Sequence, residues 1–153
     1  MKRLLKIFKI LFPFLATIIS WRLSDPFWNP GGVLAIIPIF YYSFIKPANW
    51  FAPFAVIFCF LLDYKFDITL FWTSLYCLFY AANGLQNFVD LTRQKYDGLL
   101  IFMGYLGTAS LLLSLTGFSG LSGLAWSAGL FLWLSILYIP FAALARRISD
   151  DRQ

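Results

Sequence analysis

Three charged residues lie within five positions at the end of a long apolar run, in the stretch FAVIFCFLLDYKFD at residues 54–67. Asp63 and Asp67 could work as a pair of carboxylates, one as general acid and one as general base, with Lys65 between them. The same charges could instead mark the point where a helix leaves lipid and reaches water. A third alternative is a polar anchor inside a helix bundle that fixes helix packing or contacts a partner.

The chain is poor in the groups that catalysis and metal binding usually need. Histidine and glutamate are both absent, which removes the commonest metal ligand and two frequent general bases. The two cysteines, Cys59 and Cys77, stand singly inside apolar runs, so their spacing indicates neither a zinc site nor a redox site. We therefore predict no enzymatic activity, no catalytic residue, no metal and no cofactor.

The composition indicates an integral membrane protein. The chain of 153 residues is 61% hydrophobic and 12% charged, whereas soluble domains carry about 25% charged residues. We predict an all-α integral membrane protein in which residues 1–153 form one domain, a bundle of six transmembrane helices. The spans are expected at about residues 10–23, 32–45, 50–62, 68–85, 98–115 and 124–144.

Two parts of this topology leave alternatives open. Spans two and three contain fewer apolar residues than the roughly 20 that a full crossing needs, so a reentrant pair is the alternative to two complete spans. Ahead of span one, the basic segment MKRLLKIFK is expected to form an amphipathic helix at the level of the lipid headgroups and to be retained as an anchor. The alternative is a cleavable signal peptide.

The basic residues predict the orientation. Six spans place ten of the twelve basic residues on one side, leaving only Arg22 and Lys65 on the other. Because cytoplasmic loops carry the excess of lysine and arginine, both termini are expected in the cytoplasm. The basic residues then act as topology signals and attract anionic membrane lipid, and no binding of nucleic acid is expected. The ten are Lys2, Arg3, Lys6, Lys9, Lys46, Arg93, Lys95, Arg146, Arg147 and Arg152.

Small and polar residues provide candidates for contacts between helices. Ala16 and Ser20 in span one have the four-residue spacing that lets helices approach closely, as do Ala125 and Gly129 in span six, while Gly104 and Gly107 lie together in span five. These residues could pack within the bundle or form a docking face for another membrane subunit. Asn83, near the end of span four, could be an ordinary helix-end polar residue or a partner contact. Arg93, in the following polar stretch, could attract anionic lipid or meet a cytoplasmic partner.

The central part of the chain resembles the MreD family of bacterial rod-shape-determining membrane proteins. The segment that resembles the core of the family is IIPIFYYSFIKPANWFAPFAVIFCFLLDYKFDITLFWTSLYCLFYA, at residues 36–81, and the resemblance covers about residues 33–97. In this segment Tyr41 and Tyr42 precede Pro47, and the next span closes on Leu-Leu-Asp at residues 61–63. A mixed polar turn and an aromatic-rich fourth span follow.

This resemblance implies a function and a set of partners. It implies a non-enzymatic scaffold subunit of the cell-elongation machinery in the bacterial cytoplasmic (inner) membrane, supporting peptidoglycan synthesis. Its expected partners are an MreC-like protein, a RodA-type glycosyltransferase and a class B penicillin-binding protein. The implied fold is similar to the substrate-binding subunits of energy-coupling-factor transporters. The candidates for partner contacts or helix packing are Asp63, Pro47, Tyr42, Ala16, Ser20, Asn83 and Arg93.

The alternative function is a substrate-binding membrane subunit of an energy-coupling-factor vitamin transporter. Such a subunit should contain a polar pocket near its outer face, and the deep polar residues of this chain are few.

Overall fold

The computed structural model describes residues 2–24, 33–48, 50–67, 70–86, 97–115 and 120–150, and within these ranges the side chains of 2–6, 83–86, 97, 114–115, 120–126 and 149–150 are not described. Over the described ranges the chain is all-helical and contains no strand. The helices are α1 (Lys2–Leu23), α2 (Ile36–Phe40), α3 (Phe51–Lys65), α4 (Phe71–Gln86), α5 (Asp97–Leu115) and α6 (Gly120–Asp150). The all-α prediction is therefore confirmed, and each helix overlaps one predicted span.

The second helix is short and changes its winding. After Phe40, α2 continues as a π-helical turn over Tyr41–Ile45, in which the backbone N–H of Lys46 donates to the carbonyl of Tyr41 at 2.8 Å. With a rise of about 1.5 Å per residue, the combined segment is about 15 Å long, and α3 is about 22 Å long. Both are shorter than the roughly 30 Å hydrocarbon core of a bilayer, in line with the low apolar counts of spans two and three.

Two helices extend further than the sequence predicted. The basic N-terminal segment does not form a separate amphipathic element, because α1 runs without interruption from Lys2 through Pro13 to Leu23. The Thr17 hydroxyl donates to the Pro13 carbonyl at 2.8 Å within this helix. At the other end of the chain, α6 continues through Arg146 and Arg147, which are good helix formers, and reaches Asp150.

One helix among the described residues is long and apolar enough to cross a membrane by length and composition, the segment Ser127–Ile148 of α6. The shorter apolar helical segments Ile36–Ile45 and Gly98–Leu113 fall below that length.

The core is centred on α2, whose residues from Ile36 to Phe40 are all buried. It lies against α1 and α6, while α3 pairs with α4 and α5 pairs with α6. Aromatic rings fill much of the interior: Phe102 of α5 stacks on Tyr138 of α6 with ring centroids 4.7 Å apart. The start of α5 approaches α6 closely, because a Cβ on Gly98 would lie 2.9 Å from the Tyr138 hydroxyl oxygen.

Candidate functional site

The Asp63 carboxylate is buried at the end of α3 and receives three hydrogen bonds from α4. Its side chain is 3% exposed. Oδ1 accepts from the backbone N–H of Trp72 at 2.8 Å, and Oδ2 accepts from the backbone N–H and the hydroxyl of Thr73 at 2.9 and 2.6 Å. These are the second and third residues of α4, whose N–H groups have no partner inside their own helix.

The local sequence explains why α4 takes its cap from another helix. Leu70 precedes α4 and accepts the first helical hydrogen bond from Ser74 at 2.9 Å, but its aliphatic side chain cannot accept from N–H groups. Leu70 also has a left-handed backbone, with φ of 50°, which directs the chain into α4. Asp63 supplies the missing acceptors, and its negative charge faces the positive end of the α4 dipole.

Lys65 serves a different helix end. Its ammonium group donates to the carbonyls of Trp21, at 3.2 Å, and Ser24, at the C-terminal end of α1. The same nitrogen lies 5.1 Å from the centre of the Trp21 ring. Because the last carbonyls of a helix carry partial negative charge, a lysine at this position stabilises α1 in addition to its hydrogen bonds.

Together, Asp63 and Lys65 join three helix ends, and we name this group the α1–α3–α4 junction. It comprises Trp21, Ser24, Asp63, Lys65, Trp72 and Thr73. Asp67 is exposed in the following turn with φ of 54°, whereas the Asp63 oxygens accept from α4. The two carboxylates therefore do not act as a pair: Asp63 caps α4, and Asp67 is exposed. Among the described residues no group of three metal-ligating side chains is found.

Lys65→Met is expected to lower the free energy of unfolding by about 1 kcal/mol, since the methionine keeps the apolar stem but loses the bonds to α1. The measurement is thermal or denaturant unfolding in a mild detergent. Arg146→Met removes one positive charge from an exposed position on α6, and should change stability by less than about 0.5 kcal/mol. Equal losses from both variants would contradict a specific capping role for Lys65.

Tyr42 and Pro47 lie at the opposite end of α2 from this junction. Tyr42 is buried, and its ring contacts Phe12, Phe51 and Phe141, with centroids 6.4, 5.8 and 6.3 Å away. It therefore joins α1, α3 and α6. Pro47 is exposed in the turn after the π-helical segment.

The small residues divide into two groups. Ala16 and Ser20 are half-buried on α1, and the Ser20 carbonyl accepts from the Ser24 backbone N–H at 2.9 Å. By contrast, Gly104, Gly107 and Gly129 are exposed, and a Cβ added to any of them would meet no atom within 4 Å. These three glycines therefore lie on the outer surface of α5 and α6.

Three predicted candidates fall wholly or partly outside what the structure describes. One is Ala125, whose backbone lies in α6 but whose side chain is not described. The backbone of Asn83 lies in α4 but its side chain is not among those described, and Arg93 lies in the segment 87–96, outside the described residues.

Besides the bonds to Asp63, sequence reasoning missed two polar links between helical segments. The Ser110 and Ser127 hydroxyls are 2.8 Å apart between α5 and α6. Tyr76 of α4 donates to the Ser43 hydroxyl at 2.9 Å. Single serines in apolar helices carry little pattern, but Thr73, ten residues after Asp63, could have been suspected as a capping partner across a short helical hairpin.

Comparison with protein-family models, with curated proteins and with solved structures finds no match for this chain.

Proposed function

We propose that this chain is a multi-span membrane scaffold subunit of the MreD type, which binds other membrane proteins of the cell-elongation machinery through its helix faces. The main support for the proposal is the surface of the bundle, because large apolar side chains are exposed on most of the helices. The polar groups instead link helices inside the bundle. The resemblance of residues 36–81 to the MreD family supplies the named machinery.

The outward apolar surface is extensive. On α6 the exposed apolar residues recur on one side of the helix at Leu132, Trp133, Ile136 and Ile139. Soluble monomers rarely expose contiguous apolar patches larger than a few hundred Å², and acyl chains would cover such a surface without penalty. Other exposed large apolar residues include Ile10, Ile18, Ile19, Ile57, Phe60, Leu78, Leu100, Leu111 and Leu144.

The direction of the helices supports six crossings with both termini on one side. The C-terminal ends of α1 and α3 meet the N-terminal end of α4 at one end of the bundle, through Lys65 and Asp63. That is the arrangement expected when spans one and three run outward and span four runs inward. The basic residues then collect at the cytoplasmic end.

The exposed glycines support a role in binding other membrane helices. In lipid, helices associate by close packing at small residues. Gly104 and Gly107 lie on an outer face of α5 with open space above each Cα, and Thr108 beside them directs its hydroxyl to the Gly104 carbonyl at 2.9 Å. A partner helix could approach the backbone closely at this face.

Labelling of introduced cysteines tests the topology. In a background carrying Cys59→Ala and Cys77→Ser, Tyr64→Cys should react with a membrane-impermeant maleimide on intact cells. Lys46→Cys should react only after the membrane is permeabilised. Tyr64 is 83% exposed next to the α1–α3–α4 junction, and Lys46 is exposed at the other end of the bundle. The reverse labelling pattern would overturn the orientation, and equal labelling of both in intact cells would overturn the multi-span arrangement.

Co-purification tests the scaffold function. From mild detergent, the tagged protein should recover a single-span MreC-like protein, and the double variant Gly104→Leu/Gly107→Leu should recover less than a tenth as much. Both leucines enter open space, so the variant should remain folded. Leu132→Ala, on the exposed face of α6, is the matched control and should recover the wild-type amount. Recovery of a pair of ATPases with a coupling subunit would instead identify a vitamin-transport module.

A further inference from the structure

The end of the bundle opposite the α1–α3–α4 junction has helices of unequal length. Ring contacts of Tyr42 with Phe12 and Phe141 place these residues of α1, α2 and α6 at one level. From Phe12 back to its first residue, α1 continues about 15 Å, and from Phe141 to its last residue α6 continues about 14 Å. The turn between α2 and α3, described at residues 46–48 and 50, therefore lies between two projecting helix ends.

This turn presents a tryptophan in a disfavoured backbone conformation. Trp50 has φ of 62° and ψ of 7°, and its side chain is 85% exposed. The turn is held by hydrogen bonds from Ala48 N–H to the Tyr42 carbonyl and from Phe51 N–H to the Ala48 carbonyl, both at 3.1 Å. A left-handed backbone is unfavourable for a non-glycine residue, so neither packing nor local geometry accounts for a tryptophan at this position.

Every charged side chain that the structure describes at this end is basic, although the backbones of Asp97 and Asp150, at the start of α5 and the end of α6, also lie here. Lys46 is exposed in the turn, and Arg146 and Arg147 are exposed in the last turns of α6. Lys9 lies on the projecting part of α1. The described acidic side chains, Asp63 and Asp67, lie at the opposite end. A surface that combines several cations with one exposed indole matches a lipid headgroup layer, in which tryptophan rings and basic side chains both have favourable positions.

We infer that this end of the bundle binds the headgroup of an anionic phospholipid, with Lys46, Arg146 and Arg147 contacting the phosphate and Trp50 lying among neighbouring headgroups. The inference rests on the proposed membrane location. The short α2 and α3 place the turn deeper than the ends of α1 and α6, so a headgroup drawn into the recess meets cations from more than one element. Contact with the headgroups also explains why a tryptophan occupies position 50, where its backbone conformation is unfavourable.

The test uses the full-length protein in mild detergent, titrated with phosphatidylglycerol or phosphatidylcholine and followed by native mass spectrometry. Wild-type protein should retain phosphatidylglycerol in preference to phosphatidylcholine. The triple variant Lys46→Gln/Arg146→Gln/Arg147→Gln should retain phosphatidylglycerol roughly 100-fold more weakly, about fivefold for each basic residue removed, or about 1 kcal/mol each. Arg22→Gln, an exposed cation at the end of α1 near the junction, should retain the wild-type affinity.

A second variant separates lipid binding from folding. Trp50→Gly should raise the melting temperature in detergent, because glycine adopts positive φ freely, while it weakens retention of phosphatidylglycerol. A lower melting temperature with unchanged retention would show that Trp50 is structural and would overturn its part in the site.

Several other results would overturn the proposed lipid site. Unchanged retention by the triple variant, or an equal loss in Arg22→Gln, would overturn the site. Displacement of the lipid by inorganic phosphate at constant ionic strength would identify free phosphate as the ligand, and displacement by a polyglutamate peptide would identify an acidic protein partner; either would overturn lipid binding.

Carbonate extraction of reconstituted vesicles distinguishes the two proposals: protein released into solution contradicts the membrane function, whereas retained protein without lipid preference contradicts only this site.

Discussion

Asp63→Ala should lower the free energy of unfolding by about 3 kcal/mol, since loss of a helix cap removes about 1 kcal/mol and the buried Trp72 N–H, left unpaired, adds about 1–3 kcal/mol. The variant deprives the N–H groups of Trp72 and Thr73, and the Thr73 hydroxyl, of their shared acceptor. Water has little access to the vacated position, because Asp63 is only 3% exposed. Unfolding in a mild detergent, followed by the aromatic circular dichroism that reports the packed core, measures the loss.

Two further variants give this prediction its specificity. Asp63→Asn keeps one carbonyl oxygen but places an amide donor against another donor, so its loss should lie between wild type and Asp63→Ala. Asp67→Asn changes the same charge in an exposed left-handed position that asparagine tolerates, and should alter stability by less than about 0.5 kcal/mol. If Asp63→Ala remained as stable as wild type but no longer bound its partner, Asp63 would be a partner contact and the capping interpretation would be wrong.

The α1–α3–α4 junction shows which features of the structure the sequence could predict and which it could not. The sequence alone indicated the positions of the helices, because runs of apolar residues and their interruptions by charge, proline and glycine are local properties. It also identified the polar anchor as one of three possible roles for Asp63. Thr73 could have been suspected as a capping partner, but the paired bonds from the Trp72 and Thr73 backbone N–H groups could not be predicted. They depend on the left-handed turn at Leu70, and nothing in an isolated leucine indicates that conformation.

The small residues illustrate a second limit. Four-residue spacing shows that small side chains share a helix face, but it does not show whether that face points inward. Gly104 and Gly107 lie outward on α5, whereas the contact between α5 and α6 contains the serine pair Ser110 and Ser127. The direction of each face is set by the packing of the whole bundle, which a single helix does not encode.

Phe51→Ala should have an effect at least as large as that of Asp63→Ala, a loss of about 3–5 kcal/mol in the free energy of unfolding. Phe51 is fully buried at the first residue of α3. Its ring contacts Phe14 of α1 at 5.6 Å and Tyr42 at 5.8 Å, between ring centroids. Lipid and protein interiors are similarly apolar. In the proposed membrane location the loss therefore comes from the cavity and the missing dispersion contacts rather than from exposure to water.

The control for Phe51→Ala lies on the same helix. Phe60→Ala removes an identical ring from a side chain that is 52% exposed on the outer surface of α3. Acyl chains or detergent tails can fill the space it leaves, so the loss there should be below about 1 kcal/mol. The comparison is made by unfolding both variants in the same detergent. A large loss from Phe60→Ala with little from Phe51→Ala would mean that the outer face of α3 is a protein contact, because only a protein neighbour would leave an unfilled cavity.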